Sequence, residues 1–270
     1  MRNDPYFFLI PFSYFLFLFL FLRKFKTVSV KALLFAAGMG TRLKVQTLDK
    51  PKALVNLGGK PLLQSAIEHL KSFGITDITI NVFHFAEQVI AFLTENNFFG
   101  INIHISDERG QLLDTGGGLK KAGEFLKGNE PILIYNVDVI SNLDLNALLE
   151  YHQKHKALAT LVVRSRETSR YLMFDTNLHL AGWKNFSTGE IRISRKESFS
   201  DTQPLAFSGI QLIQPELLDL ITEEGKFPII DPYLRLAINH SIIGYVDQSE
   251  LWMDLGKPEQ LVIAEKLLRN

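Results

Sequence analysis

The chain has no cysteine, which at once excludes a disulfide framework, a thiolate metal site and a cysteine nucleophile, and suits a reducing cytosol. It also lacks a surplus of either charge, with 29 Lys plus Arg against 29 Asp plus Glu. No global field draws it onto nucleic acid or acidic lipid, so any anion it binds must be held by local groups. The seven histidines are scattered without metal-ligand spacing. Residues 31–270 contain neither an internal repeat nor a linker-like stretch, and a single domain is the economical reading. With 46% hydrophobic residues in 270, there is enough apolar surface to bury a full core.

What is present in excess sits at the start. Eight of the 21 phenylalanines fall between Phe7 and Phe25, a composition shift that marks a boundary. Residues 6–22 are 17 positions without a charge, the short end of the roughly 17–25 that a membrane helix needs, and Pro11 interrupts them. Arg23, Lys24 and Lys26 follow, which by the positive-inside tendency leaves the rest of the chain cytoplasmic and tethered to the inner face of the membrane. No small-residue cleavage site is visible, which argues against a cleaved signal peptide. Residues 1–29 therefore read two ways, as a hydrophobic anchor or as upstream sequence ahead of a natural start at Val30.

Beyond Val30, short β-like apolar runs alternate with helix-period segments, the signature of βαβ units and an α/β fold with a largely parallel sheet. The pattern predicts strands over 32–35, 78–82, 101–105, 132–135, 159–163, 207–213 and 242–245. It predicts helices from Leu62 to Leu70 and over 86–95, 118–125, 145–155, 215–221, 232–238 and 258–268. Residues 164–201 break the alternation with turn-rich pieces and read as an inserted β-rich lid.

Polar chemistry concentrates in four blocks. In Leu34-Phe35-Ala36-Ala37-Gly38-Met39-Gly40-Thr41-Arg42, a buried strand ends in small residues. Glycines there let backbone approach a phosphate, and Arg42 adds a fork of donors. No Gly-Lys-Ser/Thr follows and the third glycine of a dinucleotide fingerprint is missing; in isolation the block also reads as a plain glycine turn. Asp49-Lys50-Pro51-Lys52 follows closely, with Pro51 fixing the backbone between two lysines, one of which can reach the same phosphates. Further on, Gln111 precedes Leu113-Asp114-Thr115-Gly116-Gly117-Gly118, a surface flat enough for a base to lie on, or a flexible helix-capping loop. The strand at 132–135 ends in Asn136-Val137-Asp138, at the carboxyl edge where open α/β sheets bind ligands. The last block, Trp252-Met253-Asp254-Leu255-Gly256, presents an aspartate that alone would be a turn residue.

In this order and spacing, the blocks resemble the sugar-1-phosphate nucleotidyltransferases over essentially all of residues 31–270. The resemblance implies a Rossmann-like nucleotidyltransferase fold: a mixed, mostly parallel sheet, helices on both faces and a small β-rich insertion. It implies an enzyme that moves a nucleoside monophosphate from a nucleoside triphosphate to a sugar 1-phosphate, releasing pyrophosphate. By the same resemblance Ala36, Ala37, Gly38, Gly40, Thr41, Arg42, Gln111, Thr115, Gly116 and Gly117 meet the nucleotide. Lys52, Lys184, Ser208 and Gly209 meet the sugar phosphate, Asp138 and Asp254 hold Mg²⁺, and Arg42, Lys52 and Asp138 carry the catalysis. Val137 replaces the family's glycine, and the residues around Lys184 depart from its Glu-Lys-Pro pattern. The Thr-Gly-Gly-Gly block looks most like N-acetylmuramate-1-phosphate uridylyltransferases, which favours UTP. Mannose 1-phosphate with GTP is the alternative; a non-catalytic regulator that binds nucleotide sugar is the alternative of another class.

Overall fold

Alternation along the first strand decides the architecture. In Lys31–Phe35 (β1), Ala32 and Leu34 pack into one apolar core and Leu33 into a second, as expected of a strand covered on both faces. A computed structural model describes residues 29–269. The hydrophobic stretch at 6–22 and its tethering role lie outside the described residues, among which no helix is long and apolar enough to cross a membrane.

From β1 the chain runs through Asn56–Leu57 (β2), Lys60–Pro61 (β3), Leu62–Ser72 (α1), Asp77–Val82 (β4), Ala86–Glu95 (α2) and Asn102–Asp107 (β5). Next come Asp114–Leu126 (α3), Ile132–Asn136 (β6), Val139–Ser141 (β7), Leu145–His155 (α4) and Ala159–Arg164 (β8). Three strands, Arg170–Phe174 (β9), Leu180–Asn185 (β10) and Ile191–Ile193 (β11), precede the long Gln203–Ile213 (β12). Glu216–Leu220 (α5), Ile230–Leu236 (α6), Ile242–Val246 (β13), Trp252–Asp254 (β14) and Pro258–Arg269 (α7) follow.

The sheet is mixed and mostly parallel. Strands β5, β4, β1 and β6 pair in parallel, β12 runs antiparallel between β6 and β8, and β13 is parallel to β8. Apolar faces of α1, α2 and α4 close one core, and those of α3, α5 and α6 close the other. The β-rich segment is continuous with this sheet, because the first part of β12 pairs with β9, which pairs with β10 and β11 in turn. Register in β12 shifts between Phe207 and Gln211, around Gly209 at φ +79°. A left-handed residue there lets one strand serve both parts of the sheet.

Element boundaries differ from the sequence pattern in two instructive places. Helix α3 begins at Asp114, so the three glycines lie inside its first turns and not ahead of it. Glycine is required by close neighbours: a Cβ on Gly116 would lie 2.4 Å from the Phe227 ring, and one on Gly117 2.3 Å from the Gly225 carbonyl oxygen. Likewise α6 starts at Ile230, two residues before Pro232, since a first-turn N–H has no partner within the helix and its loss costs nothing.

One buried titratable group follows from this packing. His152, on α4, is fully buried, with Nδ1 2.8 Å from Thr160 Oγ1 and Nε2 2.9 Å from Gln214 Nε2. Burial pushes its pKa down from 6.5 to about 4, so between these values the unfolded chain binds the extra proton. Its stabilising contribution is complete above pH 6.5 and fades as the pH falls toward 4, a loss of about 3 kcal/mol. Urea midpoints at pH 7 and pH 4.5 should differ accordingly, and the difference should shrink in His152→Gln.

Candidate active site

Parallel strands carry their carboxyl ends to one edge of the sheet, and the site forms there. A cleft of about 410 Å³ is lined by the loop from Ala36 to Arg42, by Lys52, by Asn136 to Asp138, and by Leu112, Asp114, Thr115, Lys226 and Gly256. Its floor is fixed by two buried polar side chains, one on β4 and one directly after β5. Asn81, on β4, accepts the N–H groups of Ala36 (2.6 Å) and Ala37 (3.2 Å), and donates to Glu108 Oε1 (2.7 Å). The other Glu108 oxygen accepts Leu113 N–H at 3.1 Å, so one network positions both the glycine loop and the start of α3. Sequence reasoning missed both residues. Their signal was a single Asn within the apolar run Ile78-Thr79-Ile80-Asn81-Val82, and an acid directly after β5.

Gly40 turns the loop at φ +61°, where a Cβ would stand 2.9 Å from Thr47 Cγ2 and 3.0 Å from Lys52 Cβ. The conformation and the close approach both require glycine. They bring Lys52 under the loop, where its ammonium forms an ion pair with Asp138 Oδ2; the two side chains are 10% and 18% exposed. Little water screens this pair, so each charge depends on the other until a ligand intervenes.

Asp254 arrives from the far end of the chain by backbone pairing. β7 and β14 form an antiparallel ladder that sets Val139 opposite Asp254, and Leu255 N–H donates to the Asp138 carbonyl at 2.9 Å. Asp254 Oδ1 accepts Gly256 N–H at 2.8 Å. A Cβ on Gly256 would be 2.8 Å from both Asp254 Oδ1 and the Arg42 guanidinium, so these three groups abut. Arg42, Lys52 and Asp138 thus line the cleft together, whereas Asp254 lies outside its lining, against Gly256, which does line it. Lys226 adds a third cation to the cleft; it is carried by the segment whose Phe227 carbonyl accepts the N–H groups of Gly116 and Gly117 at 2.9 and 3.3 Å. Nothing in a lone lysine before Phe-Pro signalled this.

Several sequence candidates lie elsewhere. Gln111 is exposed and outside the cleft lining, its N–H donating to the Glu108 carbonyl at 2.9 Å. Gly116 and Gly117 are buried and turned to Phe227, whereas Thr115 does line the cleft and accepts Ile229 N–H through its Oγ1 at 2.9 Å. Lys184 sits on β10 with its ammonium 4.4 Å from the centre of the Phe186 ring. Ser208 is buried beside the indole of Trp252, which donates to its carbonyl at 2.9 Å. Gly209 presses on Asn136, where a Cβ would come within 2.8 Å of the amide nitrogen.

Comparison with known proteins places this arrangement in context. The family described as nucleotidyl transferase matches residues 31–270. An N-acetylmuramate alpha-1-phosphate uridylyltransferase of Caulobacter vibrioides is 30% identical over 247 residues, covering 88% of this chain and 96% of its own. A mannose-1-phosphate guanyltransferase of Yarrowia lipolytica is 31% identical over 242 residues, covering 86% of this chain but 62% of its own. Among solved structures, UDP-glucose pyrophosphorylase complexed with UDP-glucose superposes with a TM-score of 0.70 at 19% identity, over 89% of this chain and 98% of that one. The last likeness carries the fold alone.

Proposed function

Because the chain belongs to the nucleotidyl transferase family, we propose that it is an enzyme joining a nucleoside triphosphate to a sugar 1-phosphate, yielding a nucleotide sugar and pyrophosphate. The observation that carries this reading is the meeting of Arg42, Lys52 and Asp138 in one cleft, with Asp254 set against its Gly256 wall and paired to Val139 in the β7–β14 ladder. We favour UTP and N-acetylmuramate 1-phosphate. Support comes from the Caulobacter relative, which matches over 96% of its length, while the chain spans 62% of the Yarrowia guanyltransferase.

The reaction brings two anions together. An oxygen of the sugar phosphate attacks the α-phosphorus, a new P–O bond forms, and the bond from that phosphorus to the bridging oxygen breaks to release pyrophosphate. No side-chain nucleophile is needed, because such transfers are catalysed mainly by positioning and charge stabilisation. Arg42 neutralises the leaving pyrophosphate. Lys52 exchanges Asp138 for phosphate oxygens and holds the attacking and attacked groups in line. Lys226 completes the cationic lining.

Asp138 and Asp254 would hold a divalent ion. Carboxylate oxygens are the hard donors that suit Mg²⁺, and with only these two acids phosphate oxygens and water would complete its shell. When bound, such an ion supplies charge neutralisation between the phosphates.

Pyrophosphate release, measured over a panel of triphosphates and sugar 1-phosphates with and without Mg²⁺, tests the reading. Turnover is expected to be greatest with UTP and to disappear without the metal. Tight nucleotide-sugar binding with no pyrophosphate from any pair would instead support a regulatory homologue; a preference for GTP with mannose 1-phosphate would move the specificity and keep the chemistry.

A further inference from the structure

The segment that delivers Asp254 is fastened before it reaches β14. Arg164, the last residue of β8, pairs with the Asp247 carboxylate, whose side chain is 1% exposed, and donates to the Ser249 hydroxyl at 3.1 Å and carbonyl at 2.6 Å. Leu251 and Asn142 then exchange two bonds: Leu251 N–H donates to the Asn142 side-chain oxygen at 3.0 Å, and Asn142 N–H to the Leu251 carbonyl at 3.1 Å. With the indole of Trp252 bonded to the Ser208 carbonyl, the approach to Asp254 is held from three sides.

Arg166 lies on this segment without being needed to hold it. Its guanidinium carbon stands 4.6 Å from the centre of the Trp252 ring, and Nη2 donates to the Phe207 carbonyl at 3.0 Å. Its other donors are poorly used. Nη1 reaches the Glu167 carbonyl only at 3.4 Å, Nε is buried without a partner, and among the described residues no carboxylate forms an ion pair with it. A half-buried guanidinium with a bare N–H is costly, because burial strips water without replacing it. Packing alone does not account for it. Strand geometry does: Trp252 and Asp254 are two apart on β14 and share a face, while Met253 between them is buried with Leu57 and Leu261. A cation over the indole is therefore on the Asp254 side. Burial pushes the Arg166 pKa below its ordinary value, and the Asp254 carboxylate is first among the groups that oppose this.

We propose that Arg166 is a positioning residue that acts through Asp254: held on the Trp252 ring, it is the resident counter-charge of that carboxylate, and it weakens the free protein's hold on a divalent ion until the triphosphate adds its own oxygens. The inference rests on the transferase reading above, in which Asp254 holds the ion. Lys52 plays the corresponding part for Asp138 by direct contact, so each acid is balanced by a cation before phosphates arrive. Arg166 acts through space. Residues two apart on a strand are separated by roughly 7 Å, and a unit charge at that distance from a divalent ion, under water-like screening, changes its affinity about fivefold.

The test uses the full chain without nucleotide and Mn²⁺ alone as the probe, its binding followed by loss of the free-ion paramagnetic resonance signal. Arg166→Met keeps a long stem on the indole and removes the charge, so it should bind Mn²⁺ about fivefold more tightly than wild type. Arg166→Lys restores the charge and should return to the wild-type affinity, a rescue that a purely structural role would not give. In Asp254→Asn the advantage should vanish, with the Arg166→Met, Asp254→Asn double variant binding no better than Asp254→Asn. An Arg166→Met protein that gains no affinity, or an Arg166→Lys protein that gains as much, overturns the inference and leaves the transferase reading standing. A double variant that keeps the gain also overturns it, because the arginine then acts on a site other than Asp254. Absence of pyrophosphate release from every substrate pair, measured separately, is what overturns the transferase reading.

Discussion

Lys52→Ala is expected to reduce kcat by about 10²–10³, the range seen when one preorganised donor to developing charge is removed. The geometry sets this apart from loss of an ordinary surface lysine. Gly40 and Pro51 fix the backbone on either side of the approach, and the ammonium is held by Asp138 in a nearly dry position. The charge is thus in place before substrate arrives, and little rearrangement is left for the reaction itself. The same pairing predicts a second effect. Removing Lys52 leaves the Asp138 carboxylate, 18% exposed, without its counter-ion, so stability should fall by roughly 1–3 kcal/mol in the absence of metal. Mg²⁺ should recover much of that stability without restoring turnover, if the ion binds where the ammonium was. Single-turnover rates and melting curves with and without Mg²⁺ check the two effects separately. A folded Lys52→Ala enzyme with wild-type kcat would remove Lys52 from the mechanism.

Where the information is local, the fold and the site were legible in the sequence. Short apolar runs marked β1, β4 and β6, and a strand ending in Ala-Ala-Gly-x-Gly followed by Pro-Lys announced a loop and a cation at one sheet edge. What stayed hidden depends on contacts between distant segments. The β7–β14 ladder consists of two three-residue strands, too short to show a period, yet it sets Asp254 opposite Val139, the residue after Asp138. Gly116 and Gly117 read as a surface for a base because missing side chains signal close approach without naming what approaches. In the folded chain the neighbours are Phe227 and Gly225. Gln111 drew notice for its amide, but a polar side chain next to a motif carries no direction, and this one lies outside the cleft. Asn81, Glu108 and Lys226 were overlooked for the converse reason, as each is an unremarkable residue in its own segment and acquires a role only where strands and the α6 approach meet.

Asp254→Asn should lower turnover by about 10³ while leaving the fold intact, and it isolates charge from shape. Asp254 Oδ1 accepts Gly256 N–H, and an asparagine carbonyl can accept the same bond, so the turn that sets Gly256 against Arg42 is preserved. Only the negative charge is lost. Asp138→Asn should be as damaging to turnover and worse for stability, because it also strips Lys52 of its buried partner. If both carboxylates serve one ion, their effects cannot multiply: once either is gone the ion is already lost, and the double variant should fall no more than about tenfold below the worse single one. Independent roles would instead give a loss near the product of the two, about 10⁶. Steady-state kcat/KM for the three variants, with Mg²⁺ titrated in each, distinguishes the cases. Multiplicative losses, or an unchanged Mg²⁺ requirement in Asp254→Asn, would separate the two acids functionally although the β7–β14 ladder sets Asp254 opposite Val139, the residue after Asp138.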